Sequence, residues 1–305
     1  MRQVPVLLTM LTVLAIPPLA GQAPARAIPM LVSAEWVADR LGEPDLVVLQ
    51  VDQRREGYAE GHIPGAVFLP YQQIAIEVDG LPVEMPMVDA LEAAFEEAGV
   101  NDGNRIVVYG APLSAARAWM TLDYLGLGDR VGMLDGGMSA WRAAGLSEST
   151  SDVDVSRGSL TVRPEPNRIV GADWILDRLD DPQTVLIDAR PLDEYTGEDG
   201  GNEGRYLAGH IPGARHLYWE ELTHSREDPR LLPEAELRTR FDAAGAASDR
   251  RIVVYCFIGM RASMAYFVSR LLEYDTYLYD GSWHDWSARD LPVQSGPDGL
   301  VGVRR

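Results

Sequence analysis

"IVVYCFIGMRASMA" occupies residues 252–265 and holds Cys256, the only cysteine among 305 residues. Its first half is a continuous apolar run, which reads as a central strand buried on both faces. From residue 262 the chain continues "ASMAYFVSRLLEY", where apolar residues return at helical spacing. Cys256 therefore stands where a strand ends, and Phe257 to Arg261 connect it to a helix. Ligands of open α/β sheets bind beyond the carboxyl ends of such strands. Amides at a helix start lack helical partners and carry positive partial charge, so an anion in this loop, the Cys256 thiolate included, is stabilised. Arg261 adds a full positive charge about one turn away, completing an arrangement that makes a nucleophile. The competing reading is a small core residue, which most lone cysteines are.

The rest of the chain bears on that choice because it is written twice. "EGHIPGAVFLPY" (60–71) returns as "AGHIPGARHLYW" (208–219), "RIVVYG" (105–110) as "RIVVYC" (251–256), and "LDGGMSAW" (134–141) as "YDGSWHDW" (279–286). His62 and His210 are 148 positions apart, Gly110 and Cys256 146, and Asp135 and Asp280 145. Such constant spacing marks a duplicated module. Upstream, "LVVLQVDQR" (46–54) and "TVLIDAR" (184–190) differ by 136, so the second copy has gained about a dozen residues within "PLDEYTGEDGGNEGRYLA" (191–208). That insertion is rich in Gly, Asp and Glu and lacks apolar period, so it is expected to be a loop. In the first copy the strand ends in Gly110 and continues "APLSAARAW", without a thiol or an Arg at the matching place. One module keeps the strand and loses the chemistry.

Each copy alternates short Val/Ile/Leu runs with helical patterns, the signature of a mostly parallel sheet covered on both faces. Helices are expected at 87–99 and 234–245, each ending in a glycine suited to a C-terminal cap. A polar stretch without helical period, 147–167, reads as the linker.

The composition bounds the remaining possibilities. The formal charge is −19, and every one of the 27 basic residues is Arg. A field of that sign repels nucleic acid and anionic membranes, so neither is an expected partner. The first 27 residues, "MRQVPVLLTMLTVLAIPPLAGQAPARA", have the layout of a secretory signal peptide with cleavage after Ala25-Arg26-Ala27, or alternatively at Gly21-Gln22-Ala23. Pro5, Pro17 and Pro18 interrupt the apolar run and argue against a spanning anchor. A periplasmic or secreted location is expected, with no membrane insertion after signal removal. Loss of Arg2 and Arg26 would take the charge from −19 to −21. A single cysteine forms no internal disulfide, so Cys256 is expected to be free or modified.

The chain resembles the tandem-domain rhodaneses, thiosulfate/3-mercaptopyruvate sulfurtransferases with an inactive N-terminal and an active C-terminal domain. The resemblance rests on "GHIPGA" in both halves, "DAR" at 188–190, "VVYCFIGMRAS" at 253–263 and "DGSWHDW" at 280–286, and covers roughly 30–145 and 168–292. It implies an α/β fold of two rhodanese-like domains, each a mostly parallel sheet flanked by helices on both faces. The expected division is a signal peptide at 1–27, an inactive domain at 28–146, a linker at 147–167 and a catalytic domain at 168–296.

By that resemblance Cys256 takes a sulfane sulfur from a donor and holds it as a persulfide. Phe257, Ile258, Gly259, Met260 and Arg261 form the loop around the sulfur, and Arg190 and Arg205 approach the anionic donor. Family loops for thiosulfate often carry two cations after the cysteine, and loops for mercaptopyruvate carry small polar residues; apolar Phe257 and Ile258 match neither. The expected reaction moves sulfur from thiosulfate to cyanide or a thiol, with 3-mercaptopyruvate as the alternative donor and no cofactor. A cysteine phosphatase of the same fold is a competing reading, but four residues separate Cys256 from Arg261 where the phosphatase pattern has five. A non-enzymatic sulfur carrier is the third. His62 and His210 occur in both modules and so read as structural. His284 is a weaker substrate candidate, and Trp141, Trp283 and Trp286 read as packing residues. His216 and His224 have no metal-ligand spacing, so no metal site is expected.

Overall fold

In the computed structural model, which describes residues 26–299, the duplication is realised as two modules of the same topology. The first runs β1 (Leu31–Val32), α1 (Ala34–Ala38), β2 (Leu46–Asp52), α2 (Glu56–Glu60), β3 (Val67–Pro70), β4 (Ile76–Val78), β5 (Leu81–Glu84), α3 (Val88–Glu97), β6 (Arg105–Gly110), α4 (Pro112–Tyr124), β7 (Val131–Leu134) and α5 (Gly137–Ala143). The second runs α6 (Ala172–Leu176), β8 (Thr184–Asp188), α7 (Leu192–Thr196), α8 (Gly200–Gly204), β9 (Arg215–His216), α9 (Glu234–Ala243), β10 (Arg251–Tyr255), α10 (Ala262–Leu271), β11 (Asp275–Leu278) and α11 (Ser282–Ala288).

The sheets have order β1-β7-β6-β2-β3 and β11-β10-β8-β9, and every pairing within them is parallel. In the second module the place of β1 is held by a single parallel bridge between Ile169 and Leu278. A separate antiparallel hairpin, β4-β5, belongs to the first module alone. The expected helices at 87–99 and 234–245 are α3 and α9, followed by Gly99 and Gly245 at φ +84° and +86°. That left-handed backbone is the conformation in which glycine ends a helix without a Cβ penalty.

Strand alternation decides which side chain faces what. Val253 and Tyr255 of β10 face a core with Trp283 and Trp286, while Ile252, Val254 and Cys256 face the opposite way. That opposite face is a core shared by both modules, containing Leu49, Val51, Ile106 and Val108 of the first. Its centre is the packing of α4 on α10, where the Trp119 and Phe267 rings meet edge-on with centroids 4.9 Å apart. Such a pair contributes about 0.5–1.5 kcal/mol beyond its area burial. Across the same seam Tyr266 donates to Asp123 at 2.8 Å, and Arg270 pairs with that carboxylate at 3.2 Å. Cys256 thus points at the module junction because it has the parity of Val254.

The duplication persists at the level of single hydrogen bonds. Tyr58 stacks on His62 and Tyr195 on His210, both at 3.8 Å, and each histidine Nδ1 bonds the carbonyl of its stacking tyrosine. Each of these tyrosine hydroxyls donates to Ala66 or Ala214 at 2.8 Å. Both histidines are therefore held as packing elements. Trp141, Trp283 and Trp286 are buried, as packing residues should be.

One expectation needs correction. The insertion at 191–208 is not a structureless loop: it folds into the short helices α7 and α8, with Asp193 and Glu194 in the first turn of α7 and Asp199 capping α8. The 147–167 segment is an extended strap fastened to the first module by Ser149–His62, Gly158–Glu96 and Asp102–Ser159 backbone bonds. Of the proposed signal peptide, residues 1–25 lie outside the described residues. Arg26 and Ala27 bond the first module, Arg26 to the Val131 carbonyl at 3.1 Å and Ala27 to Asp129 at 3.0 Å. No helix among the described residues is long and apolar enough to cross a membrane.

Candidate active site

Cys256 is fully buried at the end of β10, and its own amide donates to Ser282 Oγ at 3.1 Å. Ser282 in turn donates to the Tyr279 carbonyl at 2.8 Å and sits at φ +53°, a left-handed backbone unusual for a residue with a Cβ. The turn is sewn to the loop twice more, by Trp283 N–H to the Cys256 carbonyl (3.0 Å) and His284 N–H to the Phe257 carbonyl (2.9 Å). The "DGSWHDW" stretch therefore fixes the base of the loop, a role its sequence shows only as a turn signal.

Beyond that anchor the backbone donors are unoccupied. Among the described residues no acceptor takes the amide N–H of Phe257, Ile258, Gly259, Met260, Arg261 or Ala262. The first helical donors to be used at this end are those of Ser263, to the Gly259 and Met260 carbonyls, and Met264, to Arg261. The run of open donors lies between a thiol and a helix start, a setting suited to an anion.

Gly259 closes the turn at φ +82°. A Cβ there would lie 2.7 Å from the Asp280 carbonyl oxygen and run into the Asp280 carboxylate, so both conformation and space demand glycine. Asp280 is itself held from the other module. It pairs with Arg117 through both guanidinium Nη atoms, Nη2 to Oδ2 at 2.8 Å, and it accepts the Met85 N–H at 3.0 Å. Arg117 also donates to the Val83 carbonyl at 3.0 Å. The hairpin β4-β5 and α4 of the thiol-less module thus brace the loop of the other.

The three arginines fare differently. Arg261 is partly buried and forms a bidentate pair with Glu194 of α7, at 2.7 and 2.9 Å. The Glu194 carboxylate and the nearby Cys256 sulfur hold its guanidinium above the usual arginine range despite its burial. Arg190 does not face outward. It is 1% exposed, its Nε and Nη2 bind Asp188 and the Gly209 carbonyl, and its guanidinium lies 4.5 Å from the Trp283 ring centroid. The "DAR" sequence gives its own carboxylate to the arginine, which holds Arg190 buried against Trp283, whose N–H bonds the Cys256 carbonyl. Arg205 is exposed, at the C-terminal end of α8, with no ion pair among the described side chains. Its neighbour Tyr206 packs edge-on against Phe257 at 4.7 Å and 5.2 Å from the His284 ring. Phe257, Tyr206 and His284 form an aromatic rim beside the loop.

Sequence reasoning missed Glu194, Asp280, Arg117 and Ser282. Asp280 and Ser282 fall inside a motif read only as a turn, and Glu194 and Arg117 lie in the quoted stretches 191–208 and 111–119 with no signal of their own. No cluster of three or more metal-ligating side chains occurs among the described residues.

Comparison with known proteins agrees with this architecture. A model of the rhodanese-like domain matches residues 33–144 and again 171–289. The chain is 30% identical over 276 residues to the 3-mercaptopyruvate sulfurtransferase of Escherichia coli K12, covering 86% of this chain and 97% of that protein. It is 34% identical over 272 residues to a probable 3-mercaptopyruvate sulfurtransferase of Pseudomonas aeruginosa (84% and 94% covered). With the sulfur carrier protein TtuD of Thermus thermophilus it shares 32% identity over 285 residues (88% and 98% covered). Among solved structures, the E. coli 3-mercaptopyruvate sulfurtransferase SseA superposes with a TM-score of 0.73 at 28% identity over 84% of this chain and 99% of that one. With its two matched domains and its curated relatives, the chain belongs to the rhodanese-like family and carries that domain twice.

Proposed function

We propose that this protein is a sulfurtransferase that carries sulfane sulfur as a persulfide on Cys256, with thiosulfate as donor and cyanide or a thiol as acceptor. The observation that carries the reading is the run of unoccupied amides from Phe257 to Ala262 beside the buried Cys256. These are preorganised donors aimed where negative charge must be held. The names of the relatives support the reaction class.

The Cys256 thiolate attacks the outer sulfur of thiosulfate. A sulfur–sulfur bond forms to Cys256, the bond inside thiosulfate breaks, and its electron pair leaves with sulfite. The persulfide anion then sits among the loop amides. Cyanide attacks its terminal sulfur, thiocyanate departs, and the thiolate returns, so charge balances without an external redox partner. Arg261 supplies positive charge at the loop end, Arg190 supports the loop through Trp283, and Arg205 draws the anion toward the rim. Phe257, Ile258, Gly259 and Met260 form the wall around the sulfur.

Mercaptopyruvate is the second reading, supported by the relatives' names and by the exposed Arg205 guanidinium, which suits a carboxylate. Steady-state assays with each donor, with Cys256→Ala as control, test both. Thiosulfate turnover that vanishes in Cys256→Ala is the expected result, and turnover that survives the substitution refutes the persulfide route. Export to the periplasm or exterior is likewise proposed, from the first 27 residues; fractionation of a tagged full-length chain tests it.

A further inference from the structure

One buried polar group at the module junction is used by nothing described so far. Tyr71 belongs to the thiol-less module, in a single 3-10 turn (Tyr71–Gln73) directly after β3. It is 5% exposed, and its hydroxyl has no hydrogen-bond partner among the described residues. Burying a phenol oxygen without a hydrogen bond costs about 1–3 kcal/mol, so such groups call for an explanation.

Its surroundings supply one. Tyr71 lies in the shared core toward which Cys256 points. Next to it in the same turn, Gln72 donates to the Gln53 carbonyl at 3.1 Å, and the Gln53 amide reaches the Met260 sulfur of the loop at 4.0 Å, so the turn that carries Tyr71 borders the sulfur loop. Burial pushes the Tyr71 pKa up to about 12, so the hydroxyl keeps its proton and remains a donor across the neutral range. The duplication adds an independent contrast. The position matching Tyr71 in the second module is Trp219, 148 residues on, which has no hydroxyl. The thiol-bearing module shares its core with a tyrosine from its neighbour, whereas the module ending in Gly110 has no sulfur to meet.

We infer that the Tyr71 hydroxyl is a catalytic hydrogen-bond donor to the terminal sulfur carried on Cys256, so that the module without a thiol lends a reactive-site group to the one that has it. The inference rests on the persulfide reading above. Unpaired until sulfur arrives, the phenol gains its acceptor when the persulfide anion forms. No proton needs to move, since hydrogen bonding alone stabilises the charge. An uncharged donor at the sulfur also explains how the site holds an anion while Arg261 is paired with Glu194.

The test compares the full-length protein with Tyr71→Phe, which keeps ring and volume. Sulfur uptake from thiosulfate and from mercaptopyruvate is followed by intact mass, alongside thermal melting. The expected result is an unchanged or higher melting temperature with uptake slowed about 10- to 100-fold, the range for a hydrogen bond to a charged group. Wild-type rates in Tyr71→Phe overturn the inference while leaving the persulfide reading intact. A melting temperature lowered by several degrees also overturns it, because the hydroxyl then has a structural partner. If the wild-type protein takes sulfur from neither donor, the persulfide reading falls and takes this inference with it.

Discussion

The Arg117 guanidinium and the Asp280 carboxylate meet across the two modules, 163 residues apart in sequence, with neither exposed by more than 3%. Asp280 opens the turn that anchors Cys256, and its carboxylate crowds Gly259, so one ion pair connects the second domain's loop to the first domain's helix. Removing one partner leaves a buried charge uncompensated. Arg117→Met should therefore cost about 3–5 kcal/mol in urea unfolding and lower turnover with it. The double variant Arg117→Met/Asp280→Leu should regain much of the stability but not the turnover, because the loop brace is gone. Equal stability of the single variant and the wild type would contradict the role given to the pair.

Gly259→Ala should be the most damaging conservative change in the loop. A methyl group at φ +82° is strained, and here it also meets the Asp280 backbone. A loss of turnover of at least about 100-fold is expected, since misplacing reacting groups by about 1 Å has that effect. Single-turnover sulfur uptake is the measurement.

Glu194 and Arg261 make a more selective prediction. The carboxylate neutralises the cation nearest the sulfur loop. Glu194→Gln removes the negative charge but can still accept one guanidinium bond, so KM for thiosulfate should fall several-fold with little change in stability. Arg261→Ala should raise the same KM by about tenfold or more. A rise in KM for Glu194→Gln would show that the pair positions the loop and does not tune its charge.

How much of this could be read from the sequence follows from chain distance. The thiol, the strand-to-helix loop and the duplication are local or periodic features, and the structure has them where the residues said. The resemblance has Arg190 approaching the anionic donor, and nothing local in "DAR" reveals that Asp188 turns back to bind it. Arg117, Glu194 and Tyr71 acquire meaning only when remote elements meet. A lone arginine in "APLSAARAW" or a tyrosine after "VFLP" has no period or spacing that announces a partner in the other module. The helices of the 191–208 insertion were hidden by glycine content, and capping by Asp199 and the acidic first turn of α7 overcame it.

Glu84, on the hairpin that donates to Asp280, gives the junction a pH dependence. Burial, then the neighbouring Asp280, raise its pKa to about 7, with Arg117 opposing and Asp285 adding to the shift. Between about 4.5 and about 7 the unfolded carboxyl is ionised while the folded one keeps its proton, so stability falls as pH rises through that window. Glu84→Gln should remove this slope and stabilise the protein at pH 8, on the order of 1 kcal/mol given partial solvent screening. Melting curves at about pH 5 and 8 check it. An equal effect at both values would exclude titration of Glu84 as the cause.

The central claim is that Cys256 carries the sulfur. Intact mass of the full-length protein after brief exposure to thiosulfate or mercaptopyruvate tests this most directly. A gain of one sulfur atom in the wild type, absent in Cys256→Ser and reversed by cyanide with release of thiocyanate, is the predicted result. No gain in the wild type from either donor, or the same gain in Cys256→Ser, would contradict it.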